Sequence, residues 1–417
     1  MPRAAAPGLR PSPETAYAQW IDACTAAGWH ATPTAERVPV REGLGRVTAT
    51  PVRARWPAPR FACAAMDGIA IKAGPAAAGV WQLAVGSFAW VDTGNPIPPG
   101  MDTVVERERV HFGADGSAQI TGPAPRGLNV RAAGEDCPAG ELLIPAGHRL
   151  RPADLAAAAA AGHATLVVAR RPVAAIIPTG NEIRPVGSAL GPRDVTDSNS
   201  LLLASRADET GAQPFVTEVQ PDDPEAIAAE VQRAALAADI VLLIAGSSAG
   251  RSDYAAAVIE RAGGLAVRGV AVRPGHPVLL GFAQPDHAHA GQATMAVPVL
   301  GIPGYPLAAA VIFELFAVPM LARLQGRGPA DRIWQRAQLT RDWVSSPDVE
   351  DWVPVFLAPV PAGEDSGCPV GATPGRRGAG SISQLIRANA WWPIPIGQGK
   401  FTHGELIDVQ PMPGGSS

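Results

Sequence analysis

Five consecutive apolar residues, Ile240-Val241-Leu242-Leu243-Ile244, run without interruption into Ala245-Gly246-Ser247-Ser248-Ala249-Gly250-Arg251-Ser252-Asp253-Tyr254. A strand with no polar face is buried on both sides, which calls for a mostly parallel sheet wrapped by helices. The surrounding texture agrees. Strands are predicted over 173–177 and 215–219 and near Leu265, Val278 and Val297, alternating with helices over 200–210, 224–238, 254–262 and 307–324. In such sheets ligands bind beyond the carboxyl ends of the strands. The small residues after Ile244 would let backbone N–H groups approach an anion at the next helix N-terminus. Residues 245–254 therefore read as a phosphate cradle for a small molecule, a tight turn without ligand being the alternative. The segment is neither a Walker A loop nor G-x-G-x-x-G.

Two further loops fall on the same predicted edge. Pro178-Thr179-Gly180-Asn181-Glu182 follows the first strand, so Glu182 would face the crevice if the strands are parallel. Pro303-Gly304-Tyr305-Pro306 follows the strand near Val297, its prolines fixing a rigid entry into the last helix. Outside the sheet, Ala65-Met66-Asp67-Gly68, Asp92-Thr93-Gly94-Asn95-Pro96 and Gly134-Glu135-Asp136 each place an acid or threonine in a glycine turn. Taken singly they are ordinary turns.

Elsewhere, Ser12-Pro13-Glu14 signals a helix start, and Trp20, Ile21 and Cys24 share one face until Gly28. From 32 to 140, short apolar runs broken by Pro and Gly suggest small β modules. Residues 142–144 and 148–150 flank Pro145-Ala146-Gly147 as a predicted hairpin, and Pro152 opens an Ala-rich helix ending near Gly162. Gly326-Arg327-Gly328-Pro329 reads as a linker to a small β domain, within which 362–380 is expected to be a mobile loop.

A chain of 417 residues exceeds one ordinary core. With 17% charged residues, a net charge of -4 and no basic stripe, it offers no field that would gather nucleic acid. Cys24, Cys63, Cys137 and Cys368 contain no C-x-x-C pair, which speaks against zinc and disulfide frameworks. No signal-peptide core precedes the first helix, and the run of alanines at 156–161 is too short to span a bilayer. A cytoplasmic chain, partnered by a small molecule and by neither nucleic acid nor membrane, is expected.

Seven segments taken in order resemble the molybdopterin molybdenumtransferase family, the MoeA proteins and the gephyrin E domain. Its Ser-Ala-Met-Asp-Gly-Tyr-Ala is similar to 64–70, its Thr-Gly-Ala-Pro-x-Pro to 93–98, and its Arg-Gly-Glu-Asp to 133–136. Its Ser-Thr-Gly-Asp-Glu-Leu resembles 178–183, and its Asp…Gly-Gly-Val-Ser-Val-Gly…Asp-Tyr resembles 239–254. Its Lys-Pro-Gly-Lys-Pro and Leu-Pro-Gly-Asn-Pro are similar to 273–277 and 302–306.

The resemblance implies a multi-domain α/β protein with a molybdopterin-binding domain over 8–26 and 169–326. A linking strand-helix domain over 27–50 and 141–168, an inserted β-rich domain over 51–140 and a C-terminal β-barrel-like domain over 327–417 would complete it. It further implies Mg²⁺-assisted insertion of molybdate into adenylated molybdopterin with release of AMP. The functional acids and threonine would be Asp67, Thr93, Asp136, Glu182, Asp239 and Asp253, with Glu182, Asp239 and Asp253 on Mg²⁺. Thr179, Gly180, Gly246, Ser247, Ser248, Gly250, Arg273, Pro303, Gly304 and Pro306 would hold the pterin and its phosphate. A homodimer with a site shared between protomers is implied as well.

The chain departs from the family pattern at several points. Asn181 stands for an acid, Tyr305 for an asparagine, and Gly269 and His276 for lysines, Arg268 adjoining the first. Only Lys72 and Lys400 are lysines, so Arg273 in a lysine position is a small change. In place of a basic Gly-Arg-x-x-Phe segment stands Pro347-Asp348-Val349-Glu350-Asp351-Trp352, whose acids would repel an oxyanion. These departures keep a second class of function open, a non-catalytic module that binds the pterin or finished cofactor as sensor or carrier.

Overall fold

The computed structural model describes residues 10–31, 33–73, 79–245, 249–285, 295–328, 333–360 and 370–412, with the backbone alone for 249–253. It divides into two compact units, Ala35–Ala169 and the remainder of the chain.

In the larger unit six strands form one sheet: β1 Val173–Pro178, β2 Gln213–Val216, β3 Ile240–Ala245, β4 Gly263–Arg268, β5 Leu279–Ala283 and β6 Val297–Pro303. Their order is β2-β1-β3-β6-β5-β4. The pairs β1–β2, β1–β3 and β3–β6 are parallel, and β5 and β4 add an antiparallel edge. The apolar pentapeptide behaves as its composition requires. Ile240, Leu242 and Ile244 enter one core cluster and Val241 and Leu243 the other, the alternation of a strand covered on both faces.

One face is covered by helices α1 Pro13–Ala26 and α2 Ser198–Glu209 and by α5 Pro306–Leu324; the other by α3 Pro224–Ala235 and α4 Ala249–Ala262. Ser12 caps α1 by accepting the Thr15 N–H, Pro13 takes its first position, and Ala16, Trp20 and Cys24 form the buried stripe at i, i+4, i+8. Trp20 fixes that helix to the sheet by donating Nε1–H to the Gly281 carbonyl at 2.6 Å. Among the described residues α5 is the one helix long and apolar enough to cross a membrane, and it lies mostly buried in this core. Its middle, Phe313–Ala317, is wound as a π-helix just before Pro319. Proline has no N–H and its ring collides with the carbonyl four residues back, so a local widening lets the helix continue.

Beyond residue 332, Gln335–Leu339, Glu350–Pro359, Val370–Pro374, Ala390–Ile394 and Leu406–Pro411 close into a five-stranded barrel, because Glu350–Pro359 pairs with both Val370–Pro374 and Ala390–Ile394. The two-residue strand Val272–Arg273, inserted between β4 and β5, adds to this barrel in parallel with Glu350–Asp351. The expected mobile loop over 362–380 is corrected in its second half. Residues 370–374 form a barrel strand bonded on both sides, while 362–369 lie outside the described residues.

The smaller unit pairs Ala35–Pro39 with Thr165–Ala169 and carries helix Pro152–Ala160 and two three-stranded sheets. Gly68 is required where Gly68–Ile71 passes Thr103–Glu106, since a Cβ there would stand 2.0 Å from the Val105 carbonyl oxygen. The predicted hairpin between 142–144 and 148–150 does not form. Leu142–Ile144 pairs with Val52–Arg53, and Arg149 bridges to Val47. Thr48 dictates this, its hydroxyl bonding the Pro145 carbonyl at 2.7 Å and the His148 N–H at 3.1 Å.

Candidate functional site

At the carboxyl ends of β1, β3 and β6 the loops enclose a cavity of about 580 Å³. Pro178, Thr179 and Glu182 enter it after β1, Ile244 and Ala245 from the end of β3, and Gly304, Tyr305 and Pro306 from the turn into α5. The Thr179 hydroxyl donates to the Ile244 carbonyl at 2.8 Å, locking the ends of two adjacent parallel strands together. Gly180 then turns with φ +137°, where a Cβ would stand 2.8 Å from Ile183 Cγ1. Asn181, the amide in place of an acid, accepts the Asp222 N–H at 3.2 Å and so ties this loop to the one after β2.

The cavity wall includes a segment that sequence reasoning passed over, Thr196-Asp197-Ser198-Asn199. Asp197 caps α2 by accepting the Ser200 N–H at 3.0 Å. Asn199 is buried and donates Nδ2–H to the Gly304 carbonyl at 2.7 Å, while its Oδ1 meets no partner among the described residues. A buried amide oxygen left in this state is costly unless a ligand donor completes it. The available signal was the run of capping residues Asp-Ser-Asn-Ser leading into the helix predicted over 200–210.

Pro306 opens α5 at its first turn, so the partial positive end of that helix faces the cavity. Its Leu307 N–H is already spent on the Ala379 carbonyl, which brings Gly380 to the cavity rim. At the start of α4, the Tyr254 hydroxyl is enclosed without a partner among the described residues. Burial first, then the carboxylates of Asp222 and Asp223, pushes its pKa up to about 12.

The sequence-based site is only partly assembled here. Thr179, Glu182, Gly304 and Pro306 line the cavity, with Gly180 in the same loop and Pro303 ending β6. Gly246, Ser247 and Ser248 lie outside the described residues, and of Gly250 and Asp253 the backbone alone is described. Asp239 must be corrected. It precedes β3, at the amino end of the sheet, where both its oxygens accept from Arg170 Nη2 at 2.7 and 2.8 Å and Oδ2 accepts the Val173 N–H at 2.6 Å. A carboxylate so engaged, at the wrong end of a parallel strand, is a structural fastener and no ligand of this cavity. Arg273 is likewise absent from it and lines a second cavity, its guanidinium held by Asp351.

Asp67, Thr93 and Asp136 belong to the smaller unit. Thr93 donates both its N–H and its hydroxyl to Asp67 Oδ1, at 2.7 and 2.8 Å. These bonds, the backbone one foremost, hold the fully exposed Asp67 carboxyl below the usual carboxylate range. Asp136 donates its N–H to the Ala58 carbonyl at 3.1 Å.

A cavity at the carboxyl edge of a mostly parallel sheet, in one unit with a five-stranded β-barrel, defines a class of α/β protein with a small-molecule site. Residues 175–323 match the model of a probable molybdopterin binding domain, residues 12–162 that of the MoeA N-terminal region (domain I and II), and residues 336–412 that of the MoeA C-terminal region (domain IV). The molybdopterin molybdenumtransferase of Nostoc sp. is 28% identical over 88% of this chain and 87% of its own length. Molybdopterin molybdenumtransferase 2 of Mycobacterium tuberculosis is 30% identical over 74% of this chain and 80% of its own. The crystal structure of the molybdopterin biosynthesis MoeA protein from Pyrococcus horikosii covers 97% of this chain and 99% of its own, with a TM-score of 0.76 and 28% identity. The chain belongs to the molybdopterin molybdenumtransferase family and is a transferase of molybdenum cofactor biosynthesis.

Proposed function

We propose that the chain inserts molybdate into adenylated molybdopterin, with Mg²⁺ assistance and release of AMP. The observation that carries this reading is the 580 Å³ cavity itself, where Glu182 and the uncompleted Asn199 amide converge with the start of α5. A pterin offers the N–H donors that Asn199 Oδ1 lacks, and a pyrophosphate suits the helix start at Pro306.

The donor set fits a magnesium ion that arrives with its substrate. Among the described residues no group of three His, Cys, Asp or Glu gathers, but the cavity holds the two carboxylates of Glu182 and Asp197. Mg²⁺ is commonly held by one or two carboxylates, the rest of its shell being water and substrate phosphate. When bound, the ion would neutralise charge on the phosphate oxygens. The chain's own part is to orient: Thr179 fixes the floor, Asn199 reads the pterin edge, and Glu182 sets the position of the pyrophosphate. The proposal includes a homodimer in which Asp67, Thr93 and Asp136 serve the site of the other protomer.

Purified chain incubated with adenylated molybdopterin, molybdate and Mg²⁺ is expected to release AMP while the pterin gains molybdenum. Saturating substrate without AMP would sink the proposal.

A further inference from the structure

Tyr305 also borders a second cavity, of about 380 Å³, between the sheet domain and the barrel of the larger unit. Its ionisable lining comprises Arg273, His276, Arg376, Arg377 and Asp351, with Trp343 among its apolar walls. Three guanidinium groups around so small a space would by charge alone make an anion site. Arg377 is partly spent, its guanidinium lying 4.9 Å over the Trp343 ring and bonded to the Val344 carbonyl. His276 is held below the usual imidazole range, by burial first and Arg10 second.

Arg273 is occupied in a different way. Its Nε donates to Asp351 Oδ1 at 3.0 Å and its Nη2 to Oδ2, while the Ser345 hydroxyl donates to the same Oδ2 at 2.9 Å. A planar fork taking two oxygens, with a hydroxyl on one of them, is the donor set that proteins present to tetrahedral oxyanions. Here the chain's own carboxylate takes that place. Asp351 is 4% exposed and its backbone is fixed on both sides, to Arg273 in parallel and to Ile394 antiparallel. A carboxylate on a laddered strand has no route out to solvent, so the arrangement is a permanent filling rather than a gate.

We propose that Asp351 is a built-in occupant of the oxyanion position on Arg273, and is therefore the residue that decides whether this cavity accepts a free tetrahedral oxyanion. With Asp351 present the cavity leaves such ions to weak contact with the remaining arginines. Loss of its side chain would free the fork and the hydroxyl together. The inference rests on the function proposed above only in taking molybdate-like ions as the relevant class; it concerns equilibrium binding without pterin, so a failure to release AMP would not bear on it.

The test is tungstate titration of the full chain by calorimetry at fixed ionic strength. Asp351→Ala, which empties the position beside Arg273 and Ser345, is expected to bind tungstate at least tenfold more tightly than the native chain, and adding Arg273→Gln should erase the gain. An unchanged affinity in D351A, or a gain that survives R273Q, would overturn the proposal. A second measurement titrates the native chain and so stands even if D351A does not fold. The Arg273 Nε–H resonance, assigned by its loss in R273K, should stay in place at tungstate concentrations up to the millimolar range. Movement of that resonance at micromolar tungstate would show the fork to be open and the proposal wrong.

Discussion

Asn199 donates its side-chain amide to the Gly304 carbonyl across 2.7 Å, joining the start of α2 to the turn that opens α5. One buried residue thereby sets the spacing of two cavity walls. Asn199→Ala should cost about 1–3 kcal/mol of stability, since it orphans a carbonyl, and should raise the KM for adenylated pterin about tenfold, with a smaller change in kcat. Asn199→Asp, which keeps the shape and removes the donor, should show the same kinetic split. Steady-state AMP release with parallel denaturant unfolding measures both, and a kcat defect at unchanged KM would contradict the role in binding.

Glu182 lines the cavity at the carboxyl edge of the sheet, and under the proposed function it would hold the magnesium that accompanies the substrate pyrophosphate. Glu182→Gln is expected to lower AMP release by roughly 10²-fold or more while pterin affinity in the absence of Mg²⁺ stays within a few fold. Fluorescence titration with pterin beside the AMP assay separates the two effects.

Asp239 fastens Arg170 to the first residue of β1 at the far end of the sheet. Asp239→Ala should therefore destabilise the larger unit by about 1–3 kcal/mol through the lost charge-assisted bonds, and should leave kcat/KM for AMP release unchanged where the protein is folded. A variant of normal stability that no longer releases AMP would restore Asp239 to the site.

The Asp67 carboxyl is held low by two donors from Thr93, the backbone N–H being the larger influence. A folded-state pKa below the unfolded value contributes stability above the unfolded pKa, and that contribution is lost as pH falls through the folded one. Thr93→Val removes the hydroxyl and keeps the N–H, so the pKa should rise part of the way toward about 3.9, and the stability lost on acidification should be smaller and complete at a higher pH. Carboxyl carbon NMR of Asp67 in both proteins reads the shift directly. An unchanged value would mean that the hydroxyl bond does not form in solution.

The central sheet was legible because its strands carry their own burial pattern: a run such as 240–244 has one physical solution, and its neighbours carry capping and glycine signals at their ends. Pairing across long separations was not legible. Nothing local to 142–150 announces that Thr48, a hundred residues earlier, takes the hydrogen bonds a hairpin would have used. The cavity was half visible for a similar reason. Loops after strands announce themselves, whereas Asn199 acts through a carbonyl 105 positions away. The misplacement of Asp239 came from motif order outweighing polarity, since a residue preceding a parallel strand stands at the edge opposite to one that follows it.

The strand Val272–Arg273 lies between two strands of the central sheet yet is laddered to the barrel. A gene cut at the linker near residue 328 would leave those two residues without their neighbour and would uncover Trp352, which belongs to the core of the α/β domain. The linker near residue 328 is thus a break in sequence texture rather than a seam in the packing, because the barrel takes one of its strands from inside the α/β domain.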